Sequence, residues 1–300
     1  MKEEKSQLKK GVILNYINIG LGNLIPIFYT PVMLQLLGQS EYGLYKLSSS
    51  VTSYLSLVSL GIGSAVTRYL IKYKVEGSKK DEEKILGLFM IIFQIIAIAT
   101  LLIGTFLIFN LHIWYDKSLT SSQLMRMKIL VALMVCNMAI SFSVSPYISV
   151  VNAHEKFVFL QCMNILSTCI APIANLVMLY MGYKSIGMAI STLVINVIVQ
   201  LLYLIYVRKK LRIHARYRKL PLELLKEILV FSFWIFLANV VSQLYSATDT
   251  VMIGAIPALA TVGTAIYNVG NTLNSIVFTM TTGISNVLSP KTNRMVFAGS

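Results

Sequence analysis

Long apolar runs separated by short charged segments set the pattern of this chain. A helix needs roughly 20 apolar residues to cross a bilayer. Runs of about that length fall at Gly11–Leu37, Tyr42–Tyr73, Ile85–Phe109, Ile129–Val151, Phe157–Met181, Ile186–Val207, Ile228–Ile253 and Val262–Leu288. The pattern predicts an all-α fold, a polytopic membrane helix bundle of eight spans. Glycines at 20 and 22 and prolines at 26 and 31 predict a bend or break inside the first span. The third span is almost wholly apolar and reads as peripheral and lipid-facing.

The second run is the most informative. Read as one helix at about 100° per residue, it places Lys46, Ser49, Ser50, Ser53, Ser64, Thr67 and Arg68 on one stripe, interrupted by Leu57 and Leu60. Charged and polar groups in a membrane helix face a bundle interior or a wet cavity. Close helix packing accounts for serines alone, but not for a cation near each end. Further polar positions lie in the first span (Asn15, Asn18, Asn23, Thr30) and the fifth (Gln161, Asn164, Thr168, Asn175). The seventh carries Asn239, Ser242, Gln243, Ser246, Asp249 and Thr250, and the eighth Asn268, Asn271 and Asn274.

Composition sharpens the class. Hydrophobic residues make up 56 % of the chain and charged ones 13 %, with mean hydropathy +0.72; globular chains are about 25 % charged. The net charge of +14 raises nucleic acid as a partner, but the basic residues sit in short loops between spans, as cytoplasmic loops require. With both ends cytoplasmic, only Lys117, Arg126, Lys128 and Lys184 fall in outside segments. Cys136, Cys162 and Cys169 lie in apolar spans and form neither a disulfide framework nor a metal-ligand spacing. The N-terminal run continues to Leu37 without a small-residue cleavage site and reads as a retained span, not a removed leader.

Arg208–Lys226 contains eight Lys or Arg residues and Pro221. It divides the chain into a six-helix lobe (1–207), a basic cytoplasmic linker (208–227) and the start of a second lobe (228–300). An offset of 220 aligns Gly43 with Gly263 and Gly63 with Gly283, a faint parallel repeat of a kind found in transporters. The second lobe holds two spans, and truncation is the expected explanation.

The run TPVMLQLLG, then YGLY from Tyr42, then LGIGSAVTRYL over Leu60–Leu70, resembles the beginning of bacterial polysaccharide (O-antigen, capsule or exopolysaccharide repeat-unit) flippases of the multidrug/oligosaccharidyl-lipid/polysaccharide exporter superfamily. ATDTVMIGAIPALATVGTAIYNVG, Ala247–Gly270, resembles the start of that family's second lobe. The resemblance runs through all eight spans. It implies two six-helix lobes around a V-shaped cleft, usually with two further helices, and a central cavity lined by spans 1, 2, 7 and 8. It also implies a place in the bacterial cytoplasmic membrane. This chain supplies only the start of the second lobe.

A flippase must give a sugar head a wet path while the lipid tail stays in hydrocarbon. Neutral hydrogen-bonding groups suit hydroxyls, and cations suit the diphosphate of a polyprenyl-diphosphate-linked oligosaccharide. Arg68 is expected to capture the diphosphate near the inner mouth and Lys46 to receive it near the outer one; snorkelling to headgroups is the plainer alternative for Arg68. Ser49, Ser53, Ser64, Asn15, Asn18, Asn239, Gln243 and Asn271 complete the expected substrate path. Asp249, the acidic residue placed inside a span, is expected to pair with Lys46 at an outer gate that a coupling cation (proton or sodium) loosens. His112, His154 and His214 read as solvated loop residues without metal or catalytic spacing. No nucleotide-binding loop, nucleophile elbow or paired carboxylates occur, so the chain reads as a non-enzyme without a cofactor. Expected partners are membrane lipids, the lipid-linked sugar, and a polysaccharide polymerase and assembly proteins. The competing readings are a cation-coupled multidrug exporter of the same superfamily, a non-transporting protein of envelope or spore-wall assembly, and a membrane-embedded glycosyltransferase or polymerase.

Overall fold

In lipid, every backbone N–H and C=O has to find its partner within the chain, and helices alone or closed barrels achieve this. The computed structural model describes residues 2–59, 61–76, 78–217, 220, 223–275, 277 and 278, and it contains no strand among them. Helix α1 spans Lys2–Ser53 and leads through a 3₁₀ segment, Tyr54–Ser59, to α2, Ile62–Glu76. Then follow α3 (Lys79–Tyr115), α4 (Ser121–Ala153), α5 (Phe157–Tyr180) and α6 (Lys184–Ile205). A π-helical turn, Tyr206–Leu211, precedes α7, Leu224–Ala255, and α8 covers 260–275.

Among the described residues, six helical runs are long and apolar enough to cross a membrane. The expected spans 1 and 2 do not separate cleanly: Lys10–Ser59 is one run, and the rest of span 2 is the 15-residue α2. The expected span 8 lies partly outside the described residues.

The breaks fall at different residues from those expected. Pro26 and Pro31 stay inside α1, whereas Gly38 takes φ 75 and ψ 162, a conformation suited to glycine. The second run is not one helix. The 3₁₀ segment and Gly61, at φ 69, separate Lys46 from Arg68, so the single stripe drawn through both does not exist. Local packing explains the second break: a Cβ on Gly61 would lie 2.7 Å from Ile235 Cγ2 on α7. At Gly43 the approach is closer still, because a Cβ there would lie 1.7 Å from the Thr261 carbonyl oxygen. The second part of α1 thus meets the start of α8 backbone to backbone, and the turn at Gly61 packs closely on α7.

Helix α3 is not peripheral. More than half of its most apolar stretch is buried, against a third or less in the other five runs. Its exposed residues Ile95, Ile98, Leu102, Phe106, Phe109 and Ile113 recur every three or four positions and form the lipid-facing stripe. Phe89 and Phe93 turn the other way into a cluster with α2, α4 and the end of α6. At its C-terminal end Trp114 is exposed, but Tyr115 is fully buried and donates to the Val251 carbonyl on α7 at 3.5 Å.

Two contacts to buried carboxylates fix opposite ends of the first six helices. At one end Glu41, almost fully buried, accepts from Arg126 Nη1 at 2.8 Å and from the Ser185 hydroxyl, tying α1 to α4 and α6. At the other, His154 is not solvated: its Nε2 lies 3.4 Å from the buried carboxylate of Glu82. Burial, with Lys74 and Lys156 nearby, holds His154 below the ordinary imidazole range. His112 and His214 are exposed. The segment after α6 is not a free linker where it is described, because Ile213 is buried and Arg216 N–H donates to the Glu83 carbonyl at 2.9 Å.

The close approach at Gly43 generates a stability prediction. Gly43→Val forces α1 away from Thr261 and lowers stability by about 3 kcal/mol or more, seen as a lower Tm of the purified protein. Gly20→Ala, with open space around its Cβ, leaves Tm unchanged or raises it by at most the ~1 kcal/mol helix preference of Ala over Gly. Equal Tm values for the two variants contradict the contact.

Candidate functional site

Helix α7 lies along the second part of α1, the 3₁₀ segment and α2, and neutral polar side chains join them. Gln243 Nε2 donates to Ser53 Oγ, whose own hydroxyl donates to the Ser50 carbonyl. One turn along α7, Thr248 shares a 2.8 Å hydrogen bond with the Tyr54 hydroxyl. Ser40 and Thr261 share one of 3.2 Å at one end of the seam, and Gln123 Nε2 donates to Ser40 at 2.9 Å from α4. At the other end Tyr69 donates to Glu227 at 3.3 Å.

Beside this seam, within the first bundle, is a cavity of about 440 Å³. The second part of α1 and the 3₁₀ segment contribute Ser49, Thr52, Ser53 and Ser56, α4 contributes Asn137 and Ser141, and α6 contributes Thr192. Tyr45, Met134, Met138 and Phe142 supply the apolar wall. Behind it, Asn196 Nδ2 reaches Asn137 Oδ1 at 2.8 Å and Ser141 Oγ at 2.9 Å. Gln200 donates to Asn196, and Asn175 accepts from Ser191 and Thr192. Among the described residues, no ionisable group other than Tyr45 lines the cavity.

The expected site residues divide into three groups. Ser49 and Ser53 line the cavity, and Gln243 joins it through Ser53. Lys46 lies on the same helix with Nζ 5.6 Å from the Tyr42 ring centre; Asn239 is exposed on α7 and Asn271 half-buried on α8. The others lie apart. Asn15 is exposed, and Asn18 accepts from Thr168 at 3.1 Å, so the first part of α1 faces α5 there and not the seam. Arg68 is exposed beyond the 3₁₀ break, its guanidinium 4.7 Å from the Phe231 ring on α7. The Ser64 side chain lies outside the described residues.

The expected Lys46–Asp249 contact is not formed. Asp249 is exposed and accepts from the Tyr267 hydroxyl at 2.6 Å, while Lys46 rests on Tyr42; no ion pair joins them among the described residues. A nearby phenol on α8 satisfies the carboxylate more readily than a lysine on α1.

Asn137, Ser141, Thr192, Asn196 and Gln200 are absent from the sequence-based site. Their signal was present: Asn137 and Ser141 are four apart in span 4, and Thr192, Asn196 and Gln200 are four apart in span 6, each row on one helix face. Among the described residues, no group of three or more His, Cys, Asp or Glu is placed to hold a metal ion.

Solved structures share this fold. The MATE multidrug transporter DinF-BH matches with a TM-score of 0.70 at 13 % identity, over 95 % of this chain and 64 % of that one. An outward-facing multidrug resistance MATE family transporter of the MOP superfamily matches with a TM-score of 0.57 at 13 % identity, over 96 % of this chain and 72 % of that one. An inward-facing transporter of the same description gives 0.52 at 15 % identity over 79 % of this chain and 59 % of that one. The chain therefore spans 64 % of the length of DinF-BH. No curated protein matches the sequence. The family model described as polysaccharide biosynthesis protein matches residues 8–294, and the chain belongs to that family.

Proposed function

We propose that the chain forms the first lobe and the start of the second lobe of a flippase. It moves a polyprenyl-diphosphate-linked oligosaccharide across the bacterial cytoplasmic membrane for polysaccharide assembly, with both ends of this chain on the cytoplasmic side. The observation that carries this reading is the neutral polar seam and cavity in a chain of the polysaccharide biosynthesis protein family. Serine, asparagine and glutamine side chains offer donors and acceptors that match hydroxyls without imposing a charge. The two cations expected to handle phosphate are available to an anion. Among the described residues neither Lys46 nor Arg68 has a carboxylate partner, and each lies against an aromatic ring. Charge-assisted contacts from such groups to diphosphate are among the stronger hydrogen bonds available.

Alternating access in this reading separates α7 and α8 from the second part of α1 at one end of the seam and then at the other. The coupling cation acts through Asp249, whose exposure leaves it open to protonation or to sodium. The MATE likeness supports a second reading, a cation-coupled multidrug exporter. Such a substrate is an organic cation, and the cavity lacks the carboxylate that would favour one.

Two measurements test the reading. Deleting the gene makes lipid-linked repeat units accumulate on the inner leaflet, while sensitivity to cationic drugs stays within about twofold; the multidrug reading requires the reverse. In the complemented strain Arg68→Ala restores less than about a tenth of polymer export, the ~1.5–3 kcal/mol of a lost charge-assisted contact, and Arg68→Lys restores most of it. Full export with Arg68→Ala removes Arg68 from the phosphate path.

A further inference from the structure

We infer that the cavity in the first bundle is a subsite for an uncharged sugar unit of the carried glycan, with Asn137 of α4 and Ser49 of α1 as its specificity-determining residues. The inference rests on the flippase reading and narrows its substrate class.

Hydrogen-bonding capacity left unspent carries the assignment. Thr52 Oγ1 is committed to the Ser48 carbonyl, Ser53 to Ser50 and Gln243, and Ser141 to the Asn137 carbonyl and Asn196. The Asn137 Oδ1 atom is also used, by Asn196. Four groups of the cavity-lining residues have no partner among the described residues: Ser49 Oγ, Ser56 Oγ, the Tyr45 hydroxyl and the Asn137 amide Nδ2. They offer three hydroxyls, each able to donate and accept, and two amide N–H donors. Alternating donors and acceptors is what vicinal sugar hydroxyls present. Asn196 fixes the Asn137 amide from behind, so its free N–H groups are held in place before any ligand arrives.

Size and charge set the class. About 440 Å³ lies toward the lower part of the ~300–1,000 Å³ range of ligand pockets, enough for a sugar ring or a disaccharide but not a longer repeat unit. The only charged side chain near it on α1, Lys46, does not line it. A uronate or sugar phosphate placed there would meet no cationic side chain in the lining and would exchange part of its hydration for neutral partners, which disfavours it. A neutral ring meets no such cost, and its apolar face suits the Phe142 and methionine wall.

The test uses the full chain in lipid nanodiscs and photoreactive octyl glycosides that carry no phosphate: a glucoside, an N-acetylglucosaminide and a glucuronide. The two neutral probes are expected to label Met134, Met138 or Phe142, and the glucuronide to label them at least about tenfold less. Ser49→Ala and Asn137→Leu each lower neutral-probe labelling about tenfold. Ser49 Oγ holds nothing among the described residues, so its loss reports on the ligand and not on folding. Equal labelling by the glucuronide, no cavity labelling by either neutral probe, or unchanged labelling in both variants overturns the subsite. Because these probes lack phosphate, such a result leaves the flippase reading to the gene-deletion measurement, and a failure of the Arg68 measurement leaves this subsite standing.

Discussion

Backbone groups at membrane depth that cannot reach water have to be paired or packed within the protein. That constraint governs the interruption at Tyr54–Gly61, and much of the molecule follows from it. Irregular backbone is tolerated in a membrane only where it is buried in protein or lines a cavity, and here it does both: Gly61 sits against Ile235 of α7, and Ser53 and Ser56 face the polar cavity. The break also frees α1 and α2 to take different directions. α1 reaches α4 and α6 through Glu41, while α2 packs on α3 and meets α7 through Tyr69.

The seam formed around this break is close but lightly bonded. Glycine at 43 and 61 brings backbones into contact, as glycine does between membrane helices. The polar links across it are single hydrogen bonds, mostly neutral, each worth about 0.5–1.5 kcal/mol net. The charged contact Glu41–Arg126 lies inside the first bundle, as does the Glu82–His154 contact, where burial favours the neutral imidazole. A rigid lobe with a weakly tied neighbour is a physical arrangement suited to surfaces that part and rejoin.

Much of this was legible in the sequence. The helical class and, within a few residues, the bounds of α5, α6 and α7 follow from hydropathy and helical spacing, whereas α4 begins eight residues before the expected span. Ser53 and Gln243 were both named from their own stripes, and they meet. The errors share one cause. A helical wheel assumes a continuous helix, and nothing in YLSLVSLG announces a 3₁₀ turn except Gly61, whose conformation depends on a residue 174 positions away, Ile235. The proline rule misplaced the bend in α1 because a proline in a membrane helix can be accommodated by its neighbours, whereas Gly38 takes a conformation few other residues adopt. The rows in α4 and α6 were overlooked because each is short and neutral, and their meaning appears only when Asn137 and Asn196 face one another.

The central claim is that the Ser53–Gln243 seam opens during transport. The most direct measurement is a disulfide between Ser53→Cys and Gln243→Cys with Cys136, Cys162 and Cys169 replaced by alanine. The account predicts that oxidation links the pair within one chain and halts polymer export, with lipid-linked repeat units held on the inner leaflet until a reductant restores movement. Efficient cross-linking with export undiminished would contradict it.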